Sequence, residues 1–223
     1  LGGPTDTVAV ACVPVVTPHD VQLDVILVVD EHPATDEARQ MLVRYATQMF
    51  EDARQDCLDL RVAVVNAQRD NLGAFCTGEA ASDDRFLGLH ELSEFQACLR
   101  EPRGAGQPQG GAAHGLTQGM QAVNRHLPRA EAPDRIRPGA QLWVMYVSHR
   151  AAAEVEDAGC GGDPGCIQGV VQPSVDLLSG WSNPEAEARV YALVSDEEHC
   201  GQTGEPSAGY LELSERVEGE TWP

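Results

Sequence analysis

Lysine is absent from this 223-residue chain. All fifteen basic residues are arginine, set against 35 Asp and Glu, and the formal net charge is −20. A high-GC composition bias explains the missing lysine better than avoidance of amine modification. A field this acidic repels phosphate backbones and argues against a nucleic-acid partner. No apolar run approaches the ~18 residues of a membrane-spanning helix. No C-x-x-C pair, G-x-S-x-G elbow, P-loop or dinucleotide glycine fingerprint is present. With no nucleophile–base pair to name, the chain is expected to be non-catalytic.

Cysteine, by contrast, is plentiful: Cys12, Cys57, Cys76, Cys98, Cys160, Cys166 and Cys200. Their scatter over loops and element ends favours a disulfide framework over a metal ribbon. The expected compartment is therefore oxidising: periplasm, outer-membrane surface or extracellular space. A secretory leader is expected to have been removed or to lie outside this chain. The expected pairs are Cys160–Cys166, which flank the turn GGDPG, and Cys76–Cys98, which would clamp one long excursion. The odd cysteine is left free, buried or bonded to another chain. Gln96-Ala97-Cys98-Leu99-Arg100 superficially matches a caspase nucleophile string, but the preceding ELSEF is polar and the final glycine is Arg100, so a disulfide cysteine is the better reading.

The length suits one α/β domain with a sizeable core. Residues 1–20 read as an extended lead-in or edge strand, 21–217 as the domain, and 218–223 as a tail. Strands are expected at 24–29, 60–66, 141–147 and 189–195, with a short edge strand at 75–77. Helices are expected from Thr35 and over 89–100, 115–127, 167–178 and 207–216. The first helix should bury Met41, Leu42, Tyr45 and Met49, with Ala38 and Ala46 completing the face. The segment 151–164 reads as a loop. Continuous apolar strands alternating with helices imply a mostly parallel sheet covered on both faces.

The run Asp24–Thr35, DVILVVDEHPAT, is an apolar β-branched strand ending on Asp30 and leading through a turn into a helix. Further along stand Phe95-Gln96-Ala97-Cys98, a glycine-rich loop at 104–111, and Gly115-Leu116-Thr117-Gln118-Gly119-Met120-Gln121-Ala122. Leu142–Arg150 (LWVMYVSHR) and Gly209-Tyr210-Leu211 complete the series. In this order the motifs resemble a von Willebrand factor type A (vWA) domain, most closely the secreted cysteine-bearing bacterial ones, over residues 21–217. The resemblance implies a vWA/Rossmann-like fold. It also implies a cation site drawn from a D-x-S-x-S turn, a Thr before the middle helix, and an Asp ending strand four. Those positions are Asp30, His32 and Ala34, then Thr117 or His114 depending on register, then His149. Val194-Ser195-Asp196-Glu197-Glu198 also reads like the strand-four ending, but the spacing from the middle helix favours His149.

Mg²⁺ prefers oxygen ligands, and few remain at these positions, so the family's usual Mg²⁺ site is expected to be lost. The resulting expectation is a protein–protein interaction or structural module of the cell envelope or surface, possessing a degenerate adhesion site. The alternative is a metal-dependent adhesin or sensor in which Asp30, His32, His114 and His149 hold Zn²⁺ or Ni²⁺. Glu31, Arg150, Asp196 and Glu197 are the candidate partner-binding residues around the same rim. An acidic turn of the Asp196–Glu198 kind is more often simply solvated.

Overall fold

The computed structural model describes residues 21–32, 35–68, 72–76, 84–100, 114–128, 134–181, 187–194, 208–217 and 220–222. The lead-in 1–20, Ala34, the 104–111 loop, Cys12, Cys200, Asp196 and Glu197 lie outside the described residues.

The elements run β1 (Gln22–Val29), α1 (Asp36–Gln55), β2 (Asp59–Asn66), β3 (Leu87–Gly88), α2 (Leu92–Arg100), α3 (Gly115–Arg125), β4 (Gln141–Ser148), α4 (Ala153–Asp157), α5 (Pro164–Ser179), β5 (Ala188–Val194), α6 (Tyr210–Arg216) and β6 (Glu220–Trp222). They build a six-stranded sheet in the order β3-β2-β1-β4-β5-β6. Every pairing is parallel except β2 with β3. This is a vWA/Rossmann-like, mostly parallel α/β architecture with helices on both faces. The residues read as a tail contribute the sixth strand, and Phe75 makes one isolated antiparallel bridge to Val65 rather than a strand.

Burial on both faces explains why β1 and β2 read as unbroken apolar runs: Val25 to Val29 and Val62 to Val65 are all at most 4% exposed. One face of the sheet packs Ile26, Val28, Val144 and Tyr146 against Leu116, Val171 and Leu213 from α3, α5 and α6. The other packs Val25, Leu27, Val62 and Val64 against Phe50 of α1 and Phe95 and Leu99 of α2.

Helix α1 and the segment 151–164 also differ from expectation. Helix α1 buries Ala46, Phe50 and Ala53, while Met41, Tyr45 and Met49 stand 37%, 64% and 38% exposed. The helix carries two adjacent apolar stripes, and the one containing Ala46, Phe50 and Ala53 faces the core. The segment expected as a loop at 151–164 contains the short helix α4 and the N-cap of α5, where Asp163 accepts the Gly165 N–H at 3.0 Å.

Cys160 and Cys166 form the expected disulfide, with Cα atoms 5.3 Å apart. Cys57 is also disulfide-bonded. The expected Cys76–Cys98 bridge is not formed: the buried Cys98 thiol is directed at the backbone carbonyl oxygen of Cys76. Among the described residues no helix is long and apolar enough to cross a membrane.

Candidate functional site

From β1 the strands are added outward in one direction (β2, β3) and from β4 in the other (β5, β6), so the crevice between parallel β1 and β4 is the switch point where open α/β sheets place ligands. Asp30 follows β1 at this point, and Ser148, His149 and Arg150 end or follow β4. The backbone brings them together, because the Asp30 N–H donates to the Val147 carbonyl at 2.9 Å.

Asp30 is 4% exposed and is surrounded by donors. The His32 backbone N–H reaches Oδ1 at 3.0 Å, an Asx-type turn, and Ser148 Oγ donates to Oδ2 over 3.3 Å. His149 Nδ1 lies 3.3 Å and Arg150 Nε 3.5 Å from the same Oδ2. Burial alone would raise the Asp30 pKa. The His149 imidazole, the His32 N–H and the Arg150 charge together outweigh burial and hold it below its ordinary value. Beneath the turn, the buried Thr35 hydroxyl sits 2.6 Å from both the Asp30 and His32 carbonyl oxygens and shares its one proton between them.

The His32 and His149 rings stack with centroids 4.0 Å apart and an interplanar angle of 19°. Imidazole binds a metal in the plane of its ring at about 2.0–2.1 Å. Two nearly parallel rings at this separation cannot both point at one ion unless one of them rotates. Among the described residues no group of three His, Cys, Asp or Glu side chains is arranged to hold a metal.

The structure brings Asp30, His32, His149 and Arg150 together. It ties none of the other proposed residues to Asp30 by a hydrogen bond or ion pair among the described residues. His114 is the N-cap of α3, and its backbone N–H donates to Ala67. The Thr117 backbone N–H donates to Glu154 Oε1 at 2.7 Å, so an α4 carboxylate occupies the positive end of α3. Glu31 accepts from the Asn66 and Gln68 side-chain amides. Burial raises its pKa, and neighbouring Asp30 adds to the rise, against the lowering pull of Arg39 and Asn66.

Sequence reading missed the supports behind this rim. Glu154 Oε2 is buried without a hydrogen-bond partner among the described residues. Burial first, and Glu154 second, raise the pKa of both Tyr146 and Tyr210, which stack at 5.0 Å under the rim. Their hydroxyls fit against α3 only because positions 119 and 115 are glycine. A Cβ there would come within 2.4 Å of the Tyr146 hydroxyl oxygen and 2.3 Å of the Tyr210 one. The available signal was the G-x-x-x-G spacing in α3, one turn apart on a single face.

A pH prediction follows from the histidines. Burial lowers the His32 pKa below 6.5, helped by His149 and Arg150 and opposed by Asp30 and Asp36. Burial also lowers His126, helped by Arg125 and Arg135 and opposed by the Asp134 carbonyl and Asp84. Just below pH 6.5 the unfolded chain therefore takes up protons that the native chain refuses, so these groups make stability rise with pH up to about that value. Glu31, with its raised value, contributes the opposite slope just above 4.5. The denaturation midpoint of His126→Gln should climb less steeply between about pH 5 and 7 than that of the parent chain. Equal slopes would refute this assignment.

Comparison with known proteins adds little. No family model matches the chain, and no curated protein matches it. Among solved structures, proximal thread matrix protein 1 (PTMP1) from the mussel byssus aligns over 92% of this chain and 44% of its own, with 13% identity and a TM-score of 0.44. A second crystal form of that protein aligns over 89% of this chain and 47% of its own, with 13% identity and a TM-score of 0.36. The chain spans less than half the length of these two structures. A likeness this distant carries no functional argument.

Proposed function

We propose that this chain is a non-catalytic protein-interaction module, exported to an oxidising compartment, whose vWA-like rim carries its own cation in place of a bound metal. The observation supporting this reading is the Arg150 guanidinium, 3.5 Å from Asp30, with the His149 imidazole at 3.3 Å on the same oxygen. Arginine is charged throughout the physiological range, so the buried carboxylate is compensated without a divalent ion. The His32 N–H is a further donor to the same carboxylate, at Oδ1. A partner would then dock on a preformed rim and need no metal bridge. The bacterial envelope is the setting implied by the sequence resemblance, and the Cys160–Cys166 disulfide is compatible with it.

Protein purified without a histidine tag should contain no stoichiometric metal, and its melting temperature should not move with EDTA, Mg²⁺ or Zn²⁺. About one Zn²⁺ or Ni²⁺ per chain, lost in His149→Ala, would instead establish the metal-dependent adhesin or sensor. Arg150→Ala should destabilise the parent chain in metal-free buffer, because it leaves Asp30 with a weaker counter-charge. An unchanged midpoint in that variant would remove the internal cation from the argument.

A further inference from the structure

Most of the arginines whose contacts are described here sit against a carboxylate: Arg61 and Arg137 on Asp24, Arg85 on Glu91, Arg125 on Asp84, Arg150 on Asp30, Arg189 on Glu187. Three arginines around one cleft are less completely matched among the described residues. A cleft of about 450 Å³ between α1 and the end of α2 is lined by Asp36, Arg39, Gln40, Val43, Arg44 and Arg100. Arg44 and Arg100 make no hydrogen bond or ion pair among the described residues. Arg39 is paired with Asp36 through Nη2, but its Nε is buried and has no acceptor among the described residues. A buried donor left unmatched is costly, and an incoming acceptor would relieve it. The walls are fixed relative to each other, since Gln96 Nε2 of α2 donates to the Val43 carbonyl of α1 at 3.1 Å.

The same helix presents Met41, Tyr45 and Met49 outward at i, i+4 and i+8, with 37%, 64% and 38% exposure. Gln40 and Arg44 of the cleft directly precede Met41 and Tyr45, so this apolar ridge runs along its rim. Arginine, tyrosine and methionine are the residue types enriched where proteins meet.

We propose that the α1–α2 cleft and the Met41–Tyr45–Met49 ridge form a docking surface for an acidic protein segment whose carboxylates are flanked by apolar side chains. Carboxylates match the guanidinium fork in geometry as well as charge. A net charge of −20 disfavours dense polyanions such as nucleic acid, whereas a short segment with a few carboxylates offsets the repulsion by burying apolar side chains on the ridge. This surface is separate from Asp30 and its neighbours, and the proposal stands whether or not the rim binds metal.

The test is selection of random peptides of about twelve residues, displayed on phage, against the whole chain. Peptides carrying paired Asp or Glu beside apolar residues should be enriched. Their binding should weaken by about tenfold or more in Arg44→Gln/Arg100→Gln and in Tyr45→Ser. It should also fall as salt rises from about 50 to about 500 mM, and survive Asp30→Asn. Among the described residues none of the three altered side chains makes a hydrogen bond or ion pair, so the variants should melt like the parent. Failure to enrich acidic peptides, or undiminished binding to the variants, would overturn the proposal. Sedimentation showing a parent dimer that Tyr45→Ser dissolves would overturn it too, by making a second copy of the chain the occupant.

Discussion

Asp24→Ala is expected to cost about 3–5 kcal/mol of folding stability, the penalty for removing one partner of a buried ion pair. Asp24 is fully buried at the start of β1. Its carboxylate accepts Arg61 Nε at 3.0 Å and Nη2 at 2.8 Å from β2, then Arg137 Nε at 3.0 Å and the Arg137 backbone N–H at 2.7 Å. Arg137 also reaches the Leu23 and Asp59 carbonyls, and Arg61 the Arg135 carbonyl while lying over the Phe86 ring. One carboxylate thus ties β1, β2 and the approach to β4 at the end of the sheet opposite Asp30. Without it, two guanidinium groups that are each about 15% exposed lose their common counter-charge. Urea unfolding should show the loss as a lower midpoint with little change in slope. A shift worth less than about 1 kcal/mol would place this pair among ordinary surface salt bridges.

Gly73→Ala should be nearly as damaging, at about 2–5 kcal/mol, combining roughly 1–3 for overpacking with about 1–2 for left-handed backbone. Gly73 has φ +69, and a Cβ there would lie 2.3 Å from the Ala122 nitrogen and 2.5 Å from the Gln121 carbonyl carbon. These are backbone atoms of α3, so no side chain can swing aside. Its N–H also donates to the fully buried Gln118 at 2.8 Å, which any displacement of α3 would break. Gly159→Ala is the control: φ is +67, but among the described residues nothing lies within 4 Å of the new Cβ. It should lose only the backbone share, about 1–2 kcal/mol. Equal losses in the two variants would show that close packing at position 73 contributes nothing.

The sheet was legible in the sequence because strands buried on both faces must be apolar throughout, and β1, β2 and β4 were recognisable for that reason. The α1 face was not legible. Periodicity fits the stripe of Met41, Tyr45 and Met49 as well as that of Ala46, Phe50 and Ala53, and only the packing against the sheet and α2 chooses between them. At the rim, Asp30, His32 and His149 came from the resemblance to the vWA motifs, and Arg150 was among the candidate partner contacts. That Arg150 would turn inward to Asp30 was invisible, because the direction of a side chain after a strand end depends on tertiary neighbours. Asp24 carried a usable signal: a carboxylate inside an otherwise apolar strand has to meet a cation, and the chain has only arginine to offer.

Thr35 bears on how freely this rim changes over time. Because its hydroxyl holds the Asp30 and His32 carbonyls from the buried side, the course of the turn is written behind the turn. The outward-facing residue at position 32 contributes side-chain chemistry but little of the shape. Such a loop is a natural site for evolutionary drift and for grafting, where a new recognition side chain can be installed at 32 while Thr35, His149 and Arg150 go on holding the frame.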